Sequence, residues 1–569
     1  QYADGAALQL LDRTRRWLIH LPAGSERTDA LLEILLRQER LCETLGQRGR
    51  QQQIIDELIR LLEPDGDPAR RAEVYLRQGD VYTLLRRFDE AEEALQRSLQ
   101  IRRELGDQVG EQKALRSLGL LRWYQGRNRE AFDFIAEVVA MDRARNDVGA
   151  LVGDLTSLAN ALKSMGEPAQ ARHQLEAGLA IAEDAIERGS PIAGDLRVKQ
   201  AYILNSLTIL HREAGDLDAA MECLERAGRI AEVKRLPVYL PYHHAVAAHV
   251  YLQQGRIEES LARYQLAVEL TRKSRNVPGL SQTLLMQGEV LLGLNRYDEA
   301  LPCLGEAAAL YAHLQDPGTE AHVWSEIATV HERIGDQPNA IAAWSRTREL
   351  QMQVGNAAGE LAALEGLGAA TRRAATEPSA ALPHYHDALR LAQVLEDRAA
   401  EGRLRNTVGI LEWTRGEYAQ ALLHYERALA IFTDLQDTPH AGLMMNSIGI
   451  TLRKLGQTAE ATCRLEEAVA VHRATGQREL EGHALAALGD ISNELGDTGR
   501  AVEYYDRSLE IRRAIGDARG EGWMLYNLAR SSGTGQHRIE RVERASWIAQ
   551  RCADQELANA CDALRHSAG

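Results

Sequence analysis

The stretch GILEWTRGEYAQALLHYERALAIF, residues 409–432, holds the pattern on which the fold depends. Gly416 lies seven residues after Gly409, and a glycine there suits the end of a helix, where the backbone needs a positive φ. From Tyr418 onward the apolar residues follow helical spacing, and Ala421 lies twelve residues after Gly409. The stretch therefore predicts two antiparallel helices, which approach closely because Gly409 and Ala421 are small.

The same pattern recurs along most of the chain. Successive equivalents of Gly409, here called anchors, lie 40 residues apart, except for one step of 41 and one of 49. The other anchors are Gly79, Gly119, Ala159, Thr208, Ala248, Gly288, Ala328, Gly368, Gly449, Gly489 and Ala529. One step back from Gly79 reaches Glu39 in a similar stretch, so the sequence predicts an all-α chain of about 12–13 helix–turn–helix repeats.

Two places depart from the pattern. The step of 49 puts nine extra residues into EDAIERGSPIAGDLRVK, 183–199, where Gly189, Ser190, Pro191 and Gly194 predict a protruding loop between two repeats. The segment TRRAATEPSAAL, 371–382, lacks the turn glycine that other repeats carry seven residues after the anchor. We expect the local geometry to change at both places.

Composition and charge exclude several classes of function. Ala, Leu, Glu and Arg, which favour helices, dominate the 569 residues, and aromatic residues are only 5%. The formal charge of −15 disfavours non-specific binding to nucleic acid. No apolar run approaches the roughly 20 residues of a membrane span, and six dispersed cysteines suit a reducing compartment. We therefore expect a cytoplasmic protein with neither nucleic acid nor membrane as a partner.

The sequence contains no recognisable catalytic motif. It has neither the glycine-rich phosphate loop GxxxxGK[ST] nor GxSxG nor HExxH. His243 and His244 are adjacent, and neighbours on a helix point about 100° apart, which disfavours a shared metal ion. We expect no enzymatic activity, no cofactor and no metal site.

The repeat resembles the tetratricopeptide repeat (TPR) in its small anchor, its turn glycine and the alanine of its second helix. A tyrosine four residues beyond that alanine, as at Tyr425 and Tyr505, adds to the resemblance. Its 40-residue length is similar to the TPRs of adaptors that orient the mitotic spindle and of bacterial signal-transduction ATPases of the STAND class. The resemblance implies a right-handed superhelix over residues 26–553. Residues 1–25 would form a helix at the junction with an upstream domain, since the chain begins at Gln1, and residues 554–569 a capping helix and tail.

The resemblance further implies that the first helix of each repeat lines a concave binding face. Positions at fixed offsets from the anchors would point into it, and they hold amide, basic and aromatic side chains. The candidate ligand-binding residues are Trp123, Asn160, Lys163, Asn205, Arg212, Tyr242, His322, Arg372, Asn406, Trp413, Asn446, Arg453, His483, Asn493, Trp523 and Tyr526.

The expected function is non-catalytic binding of a protein or peptide, as the sensor or partner-binding region of a larger bacterial signalling regulator. Four residues after the anchor, one row carries four cations and a single acid, Glu332, so we expect an acidic ligand. The alternatives are a stand-alone scaffold and a regulatory subunit of a separate enzyme such as a protease or cyclase. A small-molecule ligand stays open, as does the oligomeric state.

Overall fold

The computed structural model describes residues 2–18, 20, 24–45, 48–62, 66–234, 239–531 and 535–566. Within these residues the chain forms 28 α-helices, one short 3-10 helix and no strand, which confirms the predicted all-α solenoid of tandem helices. The chain divides into two compact units, residues 1–334 and 335–569.

Unit 1 consists of the first sixteen helices. They are α1 (Tyr2–Leu18), α2 (Ser25–Leu45), α3 (Arg48–Leu62), α4 (Pro68–Leu84), α5 (Phe88–Glu104), α6 (Gln108–Tyr124), α7 (Asn128–Arg145), α8 (Val148–Ser164), α9 (Pro168–Glu187), α10 (Ala193–Glu213), α11 (Leu217–Lys234), α12 (Tyr239–Gln253), α13 (Ile257–Ser274), α14 (Val277–Gly293), α15 (Tyr297–His313) and α16 (Pro317–Ile334).

Unit 2 holds the remaining described helices. They are α17 (Gln337–Gln353), α18 (Ala357–Ala374), the 3-10 helix (Pro378–Ala381), α19 (Leu382–Val394), α20 (Arg398–Thr414), α21 (Tyr418–Asp434), α22 (Thr438–Lys454), α23 (Thr458–Ala474), α24 (Arg478–Glu494), α25 (Thr498–Ala514), α26 (Ala518–Ser531), α27 (Gln536–Arg551) and α28 (Gln555–His566). From α4 onward each anchor lies in an even-numbered helix, called helix A, and the following odd-numbered helix is helix B.

Each anchor is small because helix B covers it. A Cβ atom on Gly409 would lie 2.6 Å from the Tyr425 ring, and one on Gly449 would lie 2.6 Å from Leu465 Cγ. The covering residue comes sixteen positions after the anchor in both repeats. A larger anchor would therefore collide with the side chain that seals the repeat.

The corner between repeats explains why IRRELGDQVGE, 101–111, and IRRAIGDARGE, 511–521, are nearly identical. In the first copy, Gly106 ends helix B at φ +65, and the Asp107 carboxylate caps α6 by accepting from the Gly110 amide at 2.9 Å. Arg102 donates to Asp107 at 2.7 Å and lies against Gly110, where a Cβ would be 1.9 Å from its Nη1. Arg512, Asp517 and Gly520 repeat these contacts in the second copy.

The nine-residue insertion differs from the predicted loop. α9 has 20 residues and α10 has 21, where the neighbouring helix α8 has 17. Gly194 lies inside α10, so only 188–192 separate the two helices. Most of the insertion therefore lengthens two packed helices, which bury Ala182 and Leu196 and so stabilise the added turns.

The segment 371–382 changes geometry as expected. α18 ends at Ala374, Ala375 is extended at φ −81 and ψ 144, and the 3-10 helix replaces the first turn of helix B. Pro378 and Pro383 restrict the backbone of Glu377 and Leu382, the residues before them, which disfavours one continuous α-helix through this segment. α19 is consequently only 13 residues long.

Unit 1 contains a contact between repeats that are distant in sequence. Arg86 and Gln315 occupy turn positions with φ +58 and +56. The Arg86 side chain lies against Gly318, where a Cβ would be 2.6 Å from its Nε, and the Gln315 amide lies against Gly49, where a Cβ would be 2.9 Å from its Oε1. The turn between α15 and α16 thus packs on the beginning of α3 and the turn after α4; we call this the long-range contact.

Replacing Gly449 by Leu tests the anchor packing. The added side chain would collide with Leu465 and with the Ala461 carbonyl, so we expect a loss of about 1–3 kcal/mol in the free energy of unfolding, measured by urea denaturation. The control is Gly305→Leu, because Gly305 lies in the helical interior of α15 with no atom within 4 Å of a Cβ. An equal loss in both variants would contradict the packing explanation.

Candidate functional site on the helix A face

Contacts between repeats place helix A on the inner side of the local stack. In unit 1 α8 contacts α10, α10 contacts α12 and α12 contacts α14; in unit 2 α22 contacts α24 and α26 contacts α28. Consecutive B helices make at most marginal contact in the part of the chain that the structure describes. Helix A therefore forms the tighter layer, and we call its uncovered surface the inner face.

The sixteen predicted residues divide by exposure. Exposed are Trp123, Asn160, Lys163, Tyr242, His322, Arg372 and His483. Half-buried are Arg212, Asn406, Trp413, Arg453, Asn493, Trp523 and Tyr526. Buried are Asn205 and Asn446.

The two buried asparagines are unavailable to a ligand. Asn205 is 0% exposed because the next helix A covers it, and its Oδ1 lies 3.3 Å from Nδ1 of His243. Asn446 is 7% exposed, and its Oδ1 is buried with no hydrogen-bond partner. Both asparagines lie three residues before an anchor, and adjacent A helices cover them more closely than the sequence pattern indicated. We therefore remove both residues from the candidate site.

The basic row is largely neutralised by neighbouring carboxylates. Lys163 Nζ lies 2.8 Å from Glu213 Oε1, and Arg212 Nη2 lies 3.5 Å from the same oxygen. Arg453 forms ion pairs of 2.8 Å with Asp490 and 2.6 Å with Glu494. The ion pairs of Lys163 and Arg453 join consecutive repeats, whereas Arg212 pairs with its chain neighbour within α10. The fourth cation, Arg372, is exposed and lies near the Tyr385 side chain.

Histidines on this face sit in different electrostatic surroundings. The Glu289 carboxylate accepts from His322 Nε2 at 3.0 Å and raises the pKa of His322. Burial, together with the Arg512 charge, lowers the pKa of His483. His322 therefore holds a proton more readily than His483 does.

Aromatic side chains form the most exposed apolar part of the inner face. Trp123 is 44% exposed, and its Nε1 donates to Ser164 Oγ at 3.0 Å. Tyr202 and Tyr242 are 38% and 36% exposed, and their rings stack with centroids 6.3 Å apart. Trp523 donates to Asp554 at 3.2 Å, which fixes it against the final helices. Trp123, Tyr202 and Tyr242 are therefore the rings most accessible to a partner.

Sequence reasoning missed two apolar residues of the face. Leu120 and Ile410 are exposed, each one position after an anchor and three before Trp123 or Trp413. The repeat offset could have found both, because it had already identified this row. Selecting polar residues one position after the anchor left Leu120 and Ile410 out.

A buried polar network lies behind the face between α6, α7 and α8. Arg116 donates to both oxygens of Asp154 at 2.7 and 2.6 Å, and Gln112 donates to Asp142 Oδ1 at 2.7 Å. Asp142 Oδ2 is buried with no hydrogen-bond partner, and the neighbouring Asp154 carboxyl disfavours ionisation of both acids at once, so the pair holds a proton more readily than separate carboxyls would. Burial, with the neighbouring Asp154, raises the pKa of Asp142 to about 6.

The described residues form neither a metal-binding cluster nor a membrane-spanning helix. No group of three or more His, Cys, Asp or Glu side chains there could hold a metal ion. The six cysteines form no disulfide, and burial raises the pKa of Cys223 and Cys303, which weakens them as nucleophiles. None of the described helices combines the length and apolarity that crossing a membrane demands.

Asp142→Asn tests the buried network. Because the pKa of Asp142 is about 6 in the folded chain and lower when unfolded, the folded chain holds the proton more tightly and loses stability as pH rises from about 4 to about 6. The asparagine removes this loss, so we expect stabilisation by about 1–2 kcal/mol at pH 7 and less at pH 4.5. Urea denaturation at both pH values measures it.

The control for that experiment is Asp133→Asn, at an exposed position of α7 whose carboxylate lies 3.5 Å from Arg129. It should not change the pH dependence. Destabilisation by Asp142→Asn at pH 7 would contradict the protonated pair.

Comparison with known proteins fits this architecture. A tetratricopeptide-repeat model matches residues 70–144, 243–313, 369–434, 403–474 and 440–514, and a second such model matches 285–350. No curated protein sequence matches the chain.

Three solved structures are similar to this chain at low sequence identity. BtubC (BKLC) from P. vanneervenii is 18% identical, with 39% of this chain and 92% of that chain covered and a TM-score of 0.34. Apo RapI is 12% identical, with 63% and 99% covered and a TM-score of 0.45. Aspartyl phosphate phosphatase F from Bacillus subtilis is 13% identical, with 64% and 92% covered and a TM-score of 0.39. Since the first family model alone spans about half of the residues, the chain belongs to the tetratricopeptide repeat family.

Proposed function

We propose that the chain binds a polypeptide partner through the inner face of unit 1 and performs no catalysis itself. The observation that carries this proposal is the set of exposed apolar side chains on three A helices of unit 1, namely Leu120, Trp123, Tyr202 and Tyr242. Aromatic residues with free faces are the side chains that contribute most at protein interfaces. Repeat solenoids commonly bind partners on this side of the stack.

The spacing of these residues favours an elongated partner. Trp123 lies on α6, whereas Tyr202 and Tyr242 lie on α10 and α12, with the whole of α8 between them. A single small molecule fits such a spread poorly. A polypeptide segment that presents several apolar side chains could use both places at once.

The ion pairs of the basic row weaken the argument for an acidic ligand. Lys163, Arg212 and Arg453 each already face a carboxylate of the chain, so a competing ligand would have to displace it. Surface pairs of this kind contribute little net stability, but they remove most of the free positive charge. Our proposal therefore rests on apolar contacts, because the remaining cation of this row, Arg372, lies in unit 2.

A role within a larger signalling regulator is the finer part of the proposal. It rests on the 40-residue repeat, which is similar to the sensor regions of STAND-class ATPases. The full reading frame discriminates among the alternatives: an upstream phosphate-binding loop supports the sensor, an adjoining catalytic domain supports a regulatory subunit, and neither supports a scaffold.

The binding proposal is tested with a displayed random-peptide library selected against the whole chain. Selected peptides should be rich in apolar side chains. Their affinity should fall about tenfold or more in Trp123→Ala, and in Tyr202→Ala combined with Tyr242→Ala, because truncation removes buried aromatic contacts. Fluorescence anisotropy of a labelled peptide measures the change, and circular dichroism checks the fold.

The matched control is Trp547→Ala. Trp547 is also 44% exposed, but it lies on α27, a B helix, between the guanidinium groups of Arg544 and Arg551. Peptide affinity should not change there. A selection that yields no binder, or binders as sensitive to Trp547→Ala as to Trp123→Ala, would refute binding through the inner face.

A further inference from the structure

The groove between the B helices α11 and α13 contains a cavity of about 270 Å³ on the side of the stack away from the inner face. Its floor is α12, which contributes His243 and His244, and its wall on α13 includes Arg263. We call it the outer pocket. It is separate from the aromatic residues of the proposed function and does not depend on them.

The outer pocket exists because α11 has a glycine where most other B helices carry a larger aliphatic side chain. Gly228 lies twenty residues after its anchor. Seven of the equivalent residues are Leu99, Val139, Leu179, Val268, Leu429, Val469 and Leu509, and the remaining four are Ala308, Arg348, Ala388 and Ala549. A glycine inside a helix costs about 1 kcal/mol relative to alanine. This repeat therefore leaves unfilled a space that most others fill.

The floor departs from the repeat pattern as well. At the position of His243 most other A helices carry an apolar residue, such as Ala114, Ile203, Val323, Leu404 and Met444, while two bury Asp154 and Thr283. At that of His244 most carry leucine, such as Leu115, Leu155, Leu204, Leu284, Leu364 and Leu485, and one buries Arg405. The imidazole of His243 faces the opening, since a Cβ on Gly228 would lie 3.1 Å from its Nε2. Two adjacent core positions have thus become polar beside the one missing side chain.

Arg263 supplies positive charge that no carboxylate balances. Its Nη1 lies 3.4 Å from His244 Nδ1 and its guanidinium lies 5.6 Å from the Tyr251 ring centre. Among the described residues it has no ion pair, whereas Arg464, at the same position of another B helix, lies 3.0 Å from Glu467. A half-buried arginine without a counter-ion is costly unless a ligand provides one.

The other charged groups facing the pocket lie on α11. Glu225 and Glu232 are exposed there, and Glu225 lies 3.9 Å from Arg229. Behind His243 are the amide of Asn205 and the ring of Tyr239. The carboxylates are thus exposed on one wall, while Arg263 and the two imidazoles form the opposite wall and the floor.

We propose that the outer pocket binds a small anionic group, a carboxylate or a phosphate, held by Arg263 and the imidazoles of His243 and His244. Arg263 pairs with the anion, and His243 donates from Nε2 when protonated, because its Nδ1 is already held by Asn205. The cavity has room for the head group of a metabolite or the tip of an acidic side chain.

Anion binding in this pocket is coupled to proton uptake. Burial, the largest cause, and the positive charge of Arg263 together lower the pKa of both imidazoles to about 4. Both side chains are therefore neutral near pH 7. A bound anion favours the charged imidazole and raises its pKa. The anion therefore brings a proton with it, and binding strengthens as pH falls, by up to about tenfold per unit for one proton.

The test is isothermal titration calorimetry of the whole chain with sodium sulfate, whose charge is constant between pH 6 and pH 8. We expect one saturable site that tightens from pH 8 to pH 6, with proton uptake shown by the change in heat between buffers of different ionisation enthalpy. Succinate and inorganic phosphate, titrated separately at constant ionic strength, distinguish a carboxylate ligand from a phosphate ligand.

Arg263→Gln should weaken sulfate binding by about tenfold or more, because it removes the charged donor. Gly228→Leu should abolish sulfate binding by filling the cavity. If this variant fails to fold, Arg263→Gln still tests whether the outer pocket binds the anion. The matched control is Arg464→Gln, at the same repeat position but in a groove filled by Leu429 and floored by Met444 and Met445; it should leave binding unchanged. The proposal is overturned by absence of saturable binding, by binding without proton uptake, or by equal effects of Arg263→Gln and Arg464→Gln.

Discussion

The close approach of helix A and helix B at the anchor is the constraint on which the rest of the structure depends. Gly409 and Gly449 have no side chain because the residue sixteen positions later, Tyr425 or Leu465, occupies that space. Each helix pair is fixed by this contact, and each pair can bury its apolar faces only by stacking on its neighbours. The positions that are the same in every repeat therefore serve packing, and function is left to positions that vary.

The positions that vary between repeats form two different surfaces. On the inner face, exposed aromatic residues such as Trp123 and Tyr242 interrupt a layer whose charges are mostly paired between repeats. On the opposite side, the junction of two consecutive repeats brings Gly228 of one together with His243 and Arg263 of the next around a cavity. One surface is spread over several helices and suits a polypeptide, whereas the other is compact and suits a small charged group.

Most of the fold could be predicted from the sequence, because the anchor, the turn glycine and the helix B alanine are local signals repeated many times. The candidate site could be predicted only in part. Asn205 is covered by His243 of the next repeat, and Arg453 is paired with Asp490 and Glu494. Such contacts depend on the distance between adjacent A helices. The spacing of residues within one repeat does not predict that distance. Gly194 likewise suggested a loop, but it lies inside α10, where burial of the flanking apolar residues extended the helix; only 188–192, with Pro191, form the connection.

The long-range contact in unit 1 changes how that unit must fold. Arg86 and Gln315 belong to turns more than two hundred residues apart, and their packing on Gly318 and Gly49 closes a large loop of chain. Closing such a loop costs entropy that grows only slowly with its length, yet it joins repeats that would otherwise interact through their neighbours alone. The helices from α3 to α16 should then melt as one cooperative block, since opening any repeat between them strains the contact that joins its ends. The long-range contact therefore couples the unfolding of repeats in unit 1 that would otherwise unfold independently.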